Sequence, residues 1–262
     1  MHDDARAVYA PINTLKPVAD DVWIVDGPII RFGLPWPKYP FPTRMTVIRL
    51  AGGALFVHSP TPLTPALKTE IEKLGVPRFI VGPNRIHYWW IADWKAAFPQ
   101  AQVYLAPRIK EQARGRIAFE ALPLDQTSGY SWDAEIATLP IAGGYMTEIE
   151  FFHRKSRTLI LTDLIENFEP QKLGSVFLHL LMWIGGVTPP HGGLPRDLRL
   201  TYTWRHRREL RAAVETMLGW SPERIIIAHG RWFPDHGADA LRNAFAWLLG
   251  DEGMRRFATF GG

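Results

Sequence analysis

Three short apolar runs constrain the fold of this chain more than any other feature, because each leads into a side chain that can bind a metal ion. The runs are Phe79-Ile80-Val81-Gly82, Thr158 to Thr162 and Ile225 to Ala228. Runs of this length and composition predict strands that are buried on both faces. Helical patterns alternate with these strands along the chain, and that order predicts an α/β fold with helices outside the sheets.

Both halves of the chain place strands before helices. The predicted strands are 22–25, 45–50, 54–58, 79–82, 102–106, 134–141, 148–152, 158–162 and 224–228, and the predicted helices are 65–74, 87–98, 176–184, 205–218 and 238–249. Two such halves stacked sheet on sheet give a four-layer αββα sandwich. We see no composition break or long Gly/Ser linker, so residues 1–262 are expected to form a single domain.

Composition excludes several classes of function. The chain has a net charge of +4, but its Lys and Arg residues are interspersed with Asp and Glu, and no stripe typical of a nucleic-acid partner is present. There is no cysteine, which excludes disulfides, thiolate metal sites and cysteine nucleophiles. The N-terminus lacks a signal-peptide pattern, and the longest apolar stretch, near 176–187, is too short to span a bilayer. We therefore expect a cytoplasmic protein with no transmembrane segment.

The candidate site follows from the ends of the buried strands. His87 lies one tight turn after the first run, Asp163 ends the second and His229 ends the third. In α/β folds the carboxyl ends of buried strands converge on a cleft, so these residues are expected to meet although they are distant in sequence. Two imidazoles and a carboxylate form a workable ligand set for one divalent ion, with positions left for water or substrate.

At these residues the chain resembles the metallo-β-lactamase superfamily. The segment Phe79 to Ala106 resembles the superfamily's first ligand segment, and Thr158 to Asp163 resembles its strand that ends in a bridging aspartate. Residues Ile225 to Gly230 resemble its last ligand strand, where a histidine before glycine is typical. The resemblance covers about Trp23 to Leu249, and it implies the αββα sandwich already expected from the order of the elements.

The chain also departs from the superfamily pattern. Counting back from His87, two histidines and an aspartate of the first segment are replaced by Gly82, Asn84 and Ile86, and the middle histidine falls on Gly144. The aspartate that often ends the second hairpin strand is replaced by His58. One of the two metal positions has thus lost its own histidines, and the resemblance implies a degenerate, mononuclear site. Zinc is the preferred ion, with manganese or iron as alternatives.

Several further side chains have two interpretations. His58 is predicted to orient a ligand histidine, with direct ligation or plain packing as alternatives. Asn84 lines the cleft or caps the helix that follows it. Glu166, three residues after Asp163, lines the cleft or lies in a surface turn.

The segment Pro28 to Thr43 contains five prolines among its aromatic residues, a density that argues against a helix or a central strand. We interpret it as an aromatic loop. In the superfamily a flap from this region often covers the cleft, so the loop is predicted to be a lid whose Trp36, Tyr39 and Phe41 bind an apolar substrate. The alternatives are a homo-oligomer interface or a contact with a membrane surface.

Two functions remain open from the sequence. The first is a metal-dependent hydrolase of an ester, thioester or lactone, in which one ion activates water and polarises the carbonyl. The second is a non-catalytic protein that binds a small molecule or a partner beside a vestigial metal site, where Asp163 holds one of the histidines in its protonated form.

Overall fold

The larger of two sheets contains the first seven strands of the chain. The computed structural model describes residues 7–32, 39–173, 176–190, 192–203 and 205–250. The strands are β1 (Lys16–Ala19), β2 (Val22–Phe32), β3 (Tyr39–Arg49), β4 (Ala54–His58), β5 (Val76–Gly82), β6 (Gln102–Leu105) and β7 (Leu122–Pro123). They lie side by side in chain order. The pairs from β1 to β4 are antiparallel and those from β4 to β7 are parallel.

The second sheet contains four strands in the order β11-β10-β9-β8. These are β8 (Ile136–Ala142), β9 (Thr147–His153), β10 (Thr158–Ile160) and β11 (Arg224–Ile226). Strands β10 and β11 are parallel neighbours, although about sixty residues separate them in the chain. Their carboxyl ends therefore lie side by side, and Asp163 and His229 follow these two ends.

Helices accompany the sheets on their outer faces. They are α1 (Pro65–Leu74), α2 (Ile91–Ala97), α3 (Ile109–Ala113), α4 (Val176–Gly185), α5 (Arg196–Thr203), α6 (Arg207–Gly219) and α7 (Gly237–Ala244). Helix α1 begins as its sequence predicts, because Thr64 Oγ1 accepts from Leu67 N at 3.2 Å and proline occupies the first turn. No helix in the described part of the chain is long and apolar enough to cross a bilayer.

Two hydrophobic clusters define the layers. The larger joins side chains of the first sheet, such as Phe56, to Phe151 and Ile226 of the second sheet, and it also takes in Leu67 and Trp94 of the first set of helices. The smaller lies on the other face of the second sheet, against helices α6 and α7. Helices, sheet, sheet and helices thus form the four layers, and the predicted αββα architecture is confirmed.

The interpretation of residues 28–43 as a loop is wrong for most of the segment. Residues 28–32 belong to β2 and residues 39–43 to β3, where Ile29 pairs with Pro42 and Arg31 with Pro40. Strand β4 covers β3 only from Thr46 onward, so the end of β3 that carries the prolines is an edge. Pro40 and Pro42 therefore lie at a sheet edge, where a residue without an N–H group is tolerated.

Two predicted helices also differ from the structure. The helix expected from residue 87 begins only at Ile91, because Asn84 forms a turn in which its Oδ1 accepts from Ile86 N at 3.0 Å and its carbonyl accepts from His87 N at 3.1 Å. The helix expected over 205–218 begins at Arg207, and the separate helix α5 precedes it. Pro195 directly before α5 is a start signal that the sequence analysis did not use.

Candidate metal centre

His87, Asp163 and His229 meet in the structure. Their ligand atoms all lie within 4.8 Å of one another, and all three residues are buried. His87 Nε2 is 3.2 Å from Asp163 Oδ2, and His229 Nε2 is 3.2 Å from Asp163 Oδ1. The carboxylate therefore presents one oxygen to each imidazole. Among the described residues, this is the cluster of histidine and acidic side chains whose spacing fits a metal ion.

Each ligand is placed by the end of a strand. His87 lies on the turn that follows β5, while Asp163 and His229 follow the neighbouring strands β10 and β11. The backbone around Asp163 is fixed by the buried side chain of Glu148, whose Oε1 accepts from the N–H groups of residues 162, 163 and 164 at 2.9–3.0 Å. Three backbone donors on one carboxylate oxygen hold the Asp163 turn in a single position.

Both imidazoles are oriented through their other ring nitrogen. Ser59 Oγ lies 2.6 Å from His87 Nδ1, and the positive φ of Ser59, 51°, accompanies this placement. His229 Nδ1 donates to the carbonyl oxygen of Pro42 at 2.7 Å. Because a carbonyl can only accept, Nδ1 of His229 carries a proton, which leaves Nε2 facing Asp163. Nε2 accepts when the ring is neutral and donates to the carboxylate when the ring is protonated.

Electrostatics keep Asp163 ionised. Burial alone would raise the pKa of its carboxyl, but the attraction of His87 and the hydrogen bonds from both imidazoles outweigh burial and hold the pKa far below its usual value. A carboxylate and an imidazole lone pair 3.2 Å apart repel each other unless a proton or a cation lies between them. The donor set of two imidazole nitrogens and one carboxylate, with both imidazoles oriented from behind, fits a divalent ion.

The turn that carries His229 requires glycine at the next position. Gly230 has a φ of 99°, and a Cβ atom there would collide with the backbone of Asn167. Buried Arg44 also holds this turn, since its Nη1 donates to the carbonyls of Ile227 and Gly230 at 2.7 and 2.9 Å while Asp26 balances its charge. The strand end of β3 and the His-Gly turn are thus joined by several hydrogen bonds.

The positions of the missing ligands are filled by other groups. A side chain at Gly82 would collide with Ile109 and Ile91. Gly144 lies against helix α5 and donates from its N–H to the carbonyl of Thr201 at 3.0 Å. Asn84 is fully buried and directs its amide nitrogen to Asp163 Oδ2 at 2.6 Å, Thr162 Oγ1 at 3.0 Å and Glu148 Oε2 at 3.2 Å. Asn84 thus lines the interior beside Asp163 and makes an Asx turn, rather than capping a helix.

Two further acidic side chains, Glu150 and Glu166, are buried near Asp163. Glu150 is fully buried beside Glu148. Burial and the neighbouring Glu148 raise its pKa well above the usual value. Burial and Asp163 do the same for the pKa of Glu166. Glu166 is buried rather than in a surface turn, although it is not among the three clustered ligands.

The sequence analysis expected His58 to orient a ligand histidine. In the structure, His58 makes no hydrogen bond to such a histidine. The ring is buried, neither nitrogen has a hydrogen-bond partner within the described residues, and its edge contacts Phe151 with ring centroids 5.4 Å apart. Burial and His87 lower the pKa of His58 to about 3, so the ring is neutral at ordinary pH. The orienting role at this strand end belongs to the next residue, Ser59.

Of the three aromatic residues predicted to bind substrate, Phe41 is the one whose surroundings are described. Its ring contacts the ring of His229 edge-on, with centroids 5.2 Å apart, and Phe168 lies on its other side at 5.6 Å. Trp36 and the side chain of Tyr39 lie outside the described residues. Phe41 does stand beside the metal centre, but on a paired strand and not on a loop.

Sequence reasoning missed several buried groups around the candidate ligands. The carbonyl of Pro42 acts through the backbone and carries no side-chain signal. Ser59 offers a weak sequence signal, because it is a hydroxyl residue directly after an apolar strand. Glu148 and Glu150 offer a stronger one, because two charged residues at alternate positions of an otherwise apolar strand share one face and must be buried together.

Comparisons with known proteins agree on the fold. A family model described as a domain of unknown function, DUF4336, matches residues 22–178, more than half of the chain. No curated protein matches in sequence. A metallo-β-lactamase from Hirschia baltica is similar in structure, with 16% identity, a TM-score of 0.57, and coverage of 90% of this chain and 96% of that one.

Two further solved structures extend the comparison. The metallo-β-lactamase FIM-1 from Pseudomonas aeruginosa in its mono-zinc form is 13% identical, with a TM-score of 0.57 and coverage of 90% of this chain and 94% of that one. The Flv1 flavodiiron core from Synechocystis sp. PCC6803 is 12% identical, with a TM-score of 0.59 and coverage of 91% of this chain and 61% of that one. At these identities the similarity establishes the metallo-β-lactamase fold.

Proposed function

The chain belongs to the DUF4336 family and has the metallo-β-lactamase fold, and from this premise we propose that it is a hydrolase that binds one divalent metal ion through His87, Asp163 and His229. The proposed substrates are esters, thioesters or lactones.

The observation that carries this proposal is the orientation of His229. Its Nδ1 proton is committed to the Pro42 carbonyl, so Nε2 faces a carboxylate oxygen at 3.2 Å. In the neutral ring this nitrogen and the carboxylate would both offer lone pairs to a divalent cation. Zinc suits two imidazoles and a carboxylate and is preferred, with manganese or iron as alternatives. A single ion is expected because the side chains at Gly82, Asn84 and Gly144 offer no imidazole or carboxylate ligand.

A divalent ion in this site would lower the pKa of a bound water and polarise a carbonyl oxygen. The protein's own contribution is orientation and exclusion of water. Ser59 and the Pro42 carbonyl hold the two imidazoles, and Glu148 holds the Asp163 turn. Phe41 provides an apolar wall next to His229, and we include Trp36 and Tyr39 in the proposed substrate-binding surface because they precede Phe41 in the chain.

Metal content of the purified protein tests the binding step. We expect close to one zinc or manganese ion per chain after expression in supplemented medium, measured by elemental analysis. Asp163→Ala should abolish binding because it removes the anionic ligand. The variants His87→Gln and His58→Gln compare a proposed ligand with a neighbouring histidine. Only His87→Gln should lose the ion. Two tightly held ions per chain would contradict the single-site proposal, and none after metal addition would contradict it entirely.

Hydrolysis is tested separately on a panel of chromogenic esters, thioesters and lactones. Turnover should disappear in Asp163→Ala and after chelation, and should return when metal is added back to the wild-type protein.

A second candidate function is a non-catalytic binding protein, and the filled positions favour it. Isoleucine side chains fill the space at Gly82, and Ile86 stands where the superfamily has an aspartate that orients the attacking water. If Asp163 instead pairs with a protonated histidine, the protein retains the same three-residue cluster without metal. Calorimetric titration with zinc distinguishes the two, since the vestigial site gives no saturable heat.

A further inference from the structure

Helix α4 exposes an apolar face that the rest of the described structure leaves uncovered. Val176, Phe177 and Trp183 are 87%, 69% and 64% exposed, and Leu180 and Ile184 are about half exposed. These five positions follow helical spacing and lie on one side of the helix. No residue of α4 is buried, whereas a surface helix usually buries one face against its protein.

The helix projects from the wall of the metal centre. Phe168 and Val187, on either side of it in the chain, are joined by a hydrogen bond from Phe168 N to the Val187 carbonyl at 2.7 Å. Phe168 in turn contacts Phe41, which contacts His229. Helix α4, which lies between these two positions in the chain, is therefore anchored beside the candidate site.

Basic residues outnumber acidic ones beside helix α4. The sequence contains no Asp or Glu from residue 170 to residue 196, and Asp197 follows directly. Arg196 and Arg199 both lie against Gly186, just beyond the end of α4. Burial and the neighbouring Arg196 lower the pKa of Arg199. Leu200 on the same helix as these arginines is 71% exposed and extends the apolar surface.

We propose that helix α4 docks on an anionic lipid surface, with its apolar face in the acyl region and the arginines of α5 toward the lipid headgroups. An apolar helix with basic residues at its edge is the pattern of a helix that lies in a membrane interface. A second copy of this chain is disfavoured as the occupant, because each copy carries a net charge of +4 and would bring the same arginines against its own.

Vesicle flotation tests this proposal with the full chain. The protein should float with phosphatidylcholine vesicles that contain phosphatidylglycerol, and binding should weaken when phosphatidylglycerol is left out or salt is raised. Phe177→Ser and Trp183→Ser should each weaken binding about tenfold, since each removes a large apolar side chain from the lipid. Arg196→Glu should weaken it about fivefold or more.

Val76→Ser is the matched control, because Val76 is an apolar residue that is 68% exposed on β5, far along the chain from α4. It should float like the wild type. Thermal melting checks that the α4 variants remain folded, as expected for exposed positions. The proposal is overturned if the wild type fails to float with anionic vesicles. It is also overturned if size-exclusion chromatography shows a dimer that Phe177→Ser and Trp183→Ser convert to a monomer.

Discussion

Asn84 places one amide group between two buried carboxyl groups, and this changes the chemistry expected at the centre. Its nitrogen lies 2.6 Å from Asp163 and 3.2 Å from Glu148. The amide thus supplies hydrogen bonds where a second ion would otherwise supply charge. Without the Asn84 amide, no hydrogen-bond donor would lie between the carboxyl groups of Asp163 and Glu148.

Asn84→Ala is therefore expected to lower the free energy of unfolding by about 2–4 kcal/mol, because hydrogen bonds to charged groups are strong and their loss leaves buried acceptors unpaired. Urea denaturation measures the change. Asn243→Ala, at an exposed position of helix α7, should change it by less than about 0.5 kcal/mol. Equal effects in the two variants would show that Asn84 does not separate the carboxyl groups.

His58→Leu is expected to stabilise the protein, because both nitrogens of the buried ring lack a partner in the described structure. The gain should be about 1 kcal/mol at pH 7. The gain should grow as the pH falls. In the unfolded chain His58 binds a proton below its ordinary pKa of 6.5, whereas in the folded protein the pKa of His58 is about 3. At pH 5, the titration of His58 lowers the free energy of unfolding of the wild type by about 2 kcal/mol relative to the variant.

Urea denaturation of both proteins at the two pH values, in chelator, tests this expectation. A variant less stable than the wild type at pH 5 would contradict it. Loss of metal from His58→Leu would instead identify His58 as a ligand.

The convergence of His87, Asp163 and His229 could be predicted from the sequence because each residue follows a strand whose pattern is unambiguous. The groups that orient them could not. The Pro42 carbonyl is a backbone atom, and its strand was excluded by a rule about proline that holds for strands paired on both sides. Strand β3 is paired on one side where the prolines lie, and only the sheet order shows that. Helix α5 was missed because the sequence analysis did not use Pro195, directly before it, as a start signal.

The turn after β11 gives a prediction that depends on backbone geometry. Gly230→Ala should destabilise the protein by more than about 2 kcal/mol, because a side chain is strained at this φ and meets the backbone of Asn167. It should also weaken metal binding, since His229 is the preceding residue. Gly219→Ala, at a helical position with open space around it, is the control and should leave both quantities unchanged. Thermal melting and zinc titration measure the two effects, and normal zinc affinity in Gly230→Ala would contradict the coupling.

The fold as a whole is shared with enzymes that hydrolyse β-lactams, but the fold alone does not transfer that activity. With Ile86 in place of an aspartate and the proposed single ion in place of two, β-lactam turnover is expected to be slower by a factor of about 10² to 10⁴ than in a metallo-β-lactamase. Hydrolysis of a chromogenic β-lactam by the zinc-loaded protein measures this, with such an enzyme as the positive control. Comparable rates would show that another group, such as His58 or Glu166, assists the attacking water.

The hydrogen bond between His229 and Pro42 joins residues 187 positions apart. In the proposed metal site, the third ligand can therefore join the other two only after strand β11 has been synthesised and has paired with β10. A nascent chain that has reached only Asp163 would carry two of the three proposed ligands, and residue 229 would complete the site at the edge of β3. Metal capture would thus be coupled to folding of the last strand of the second sheet.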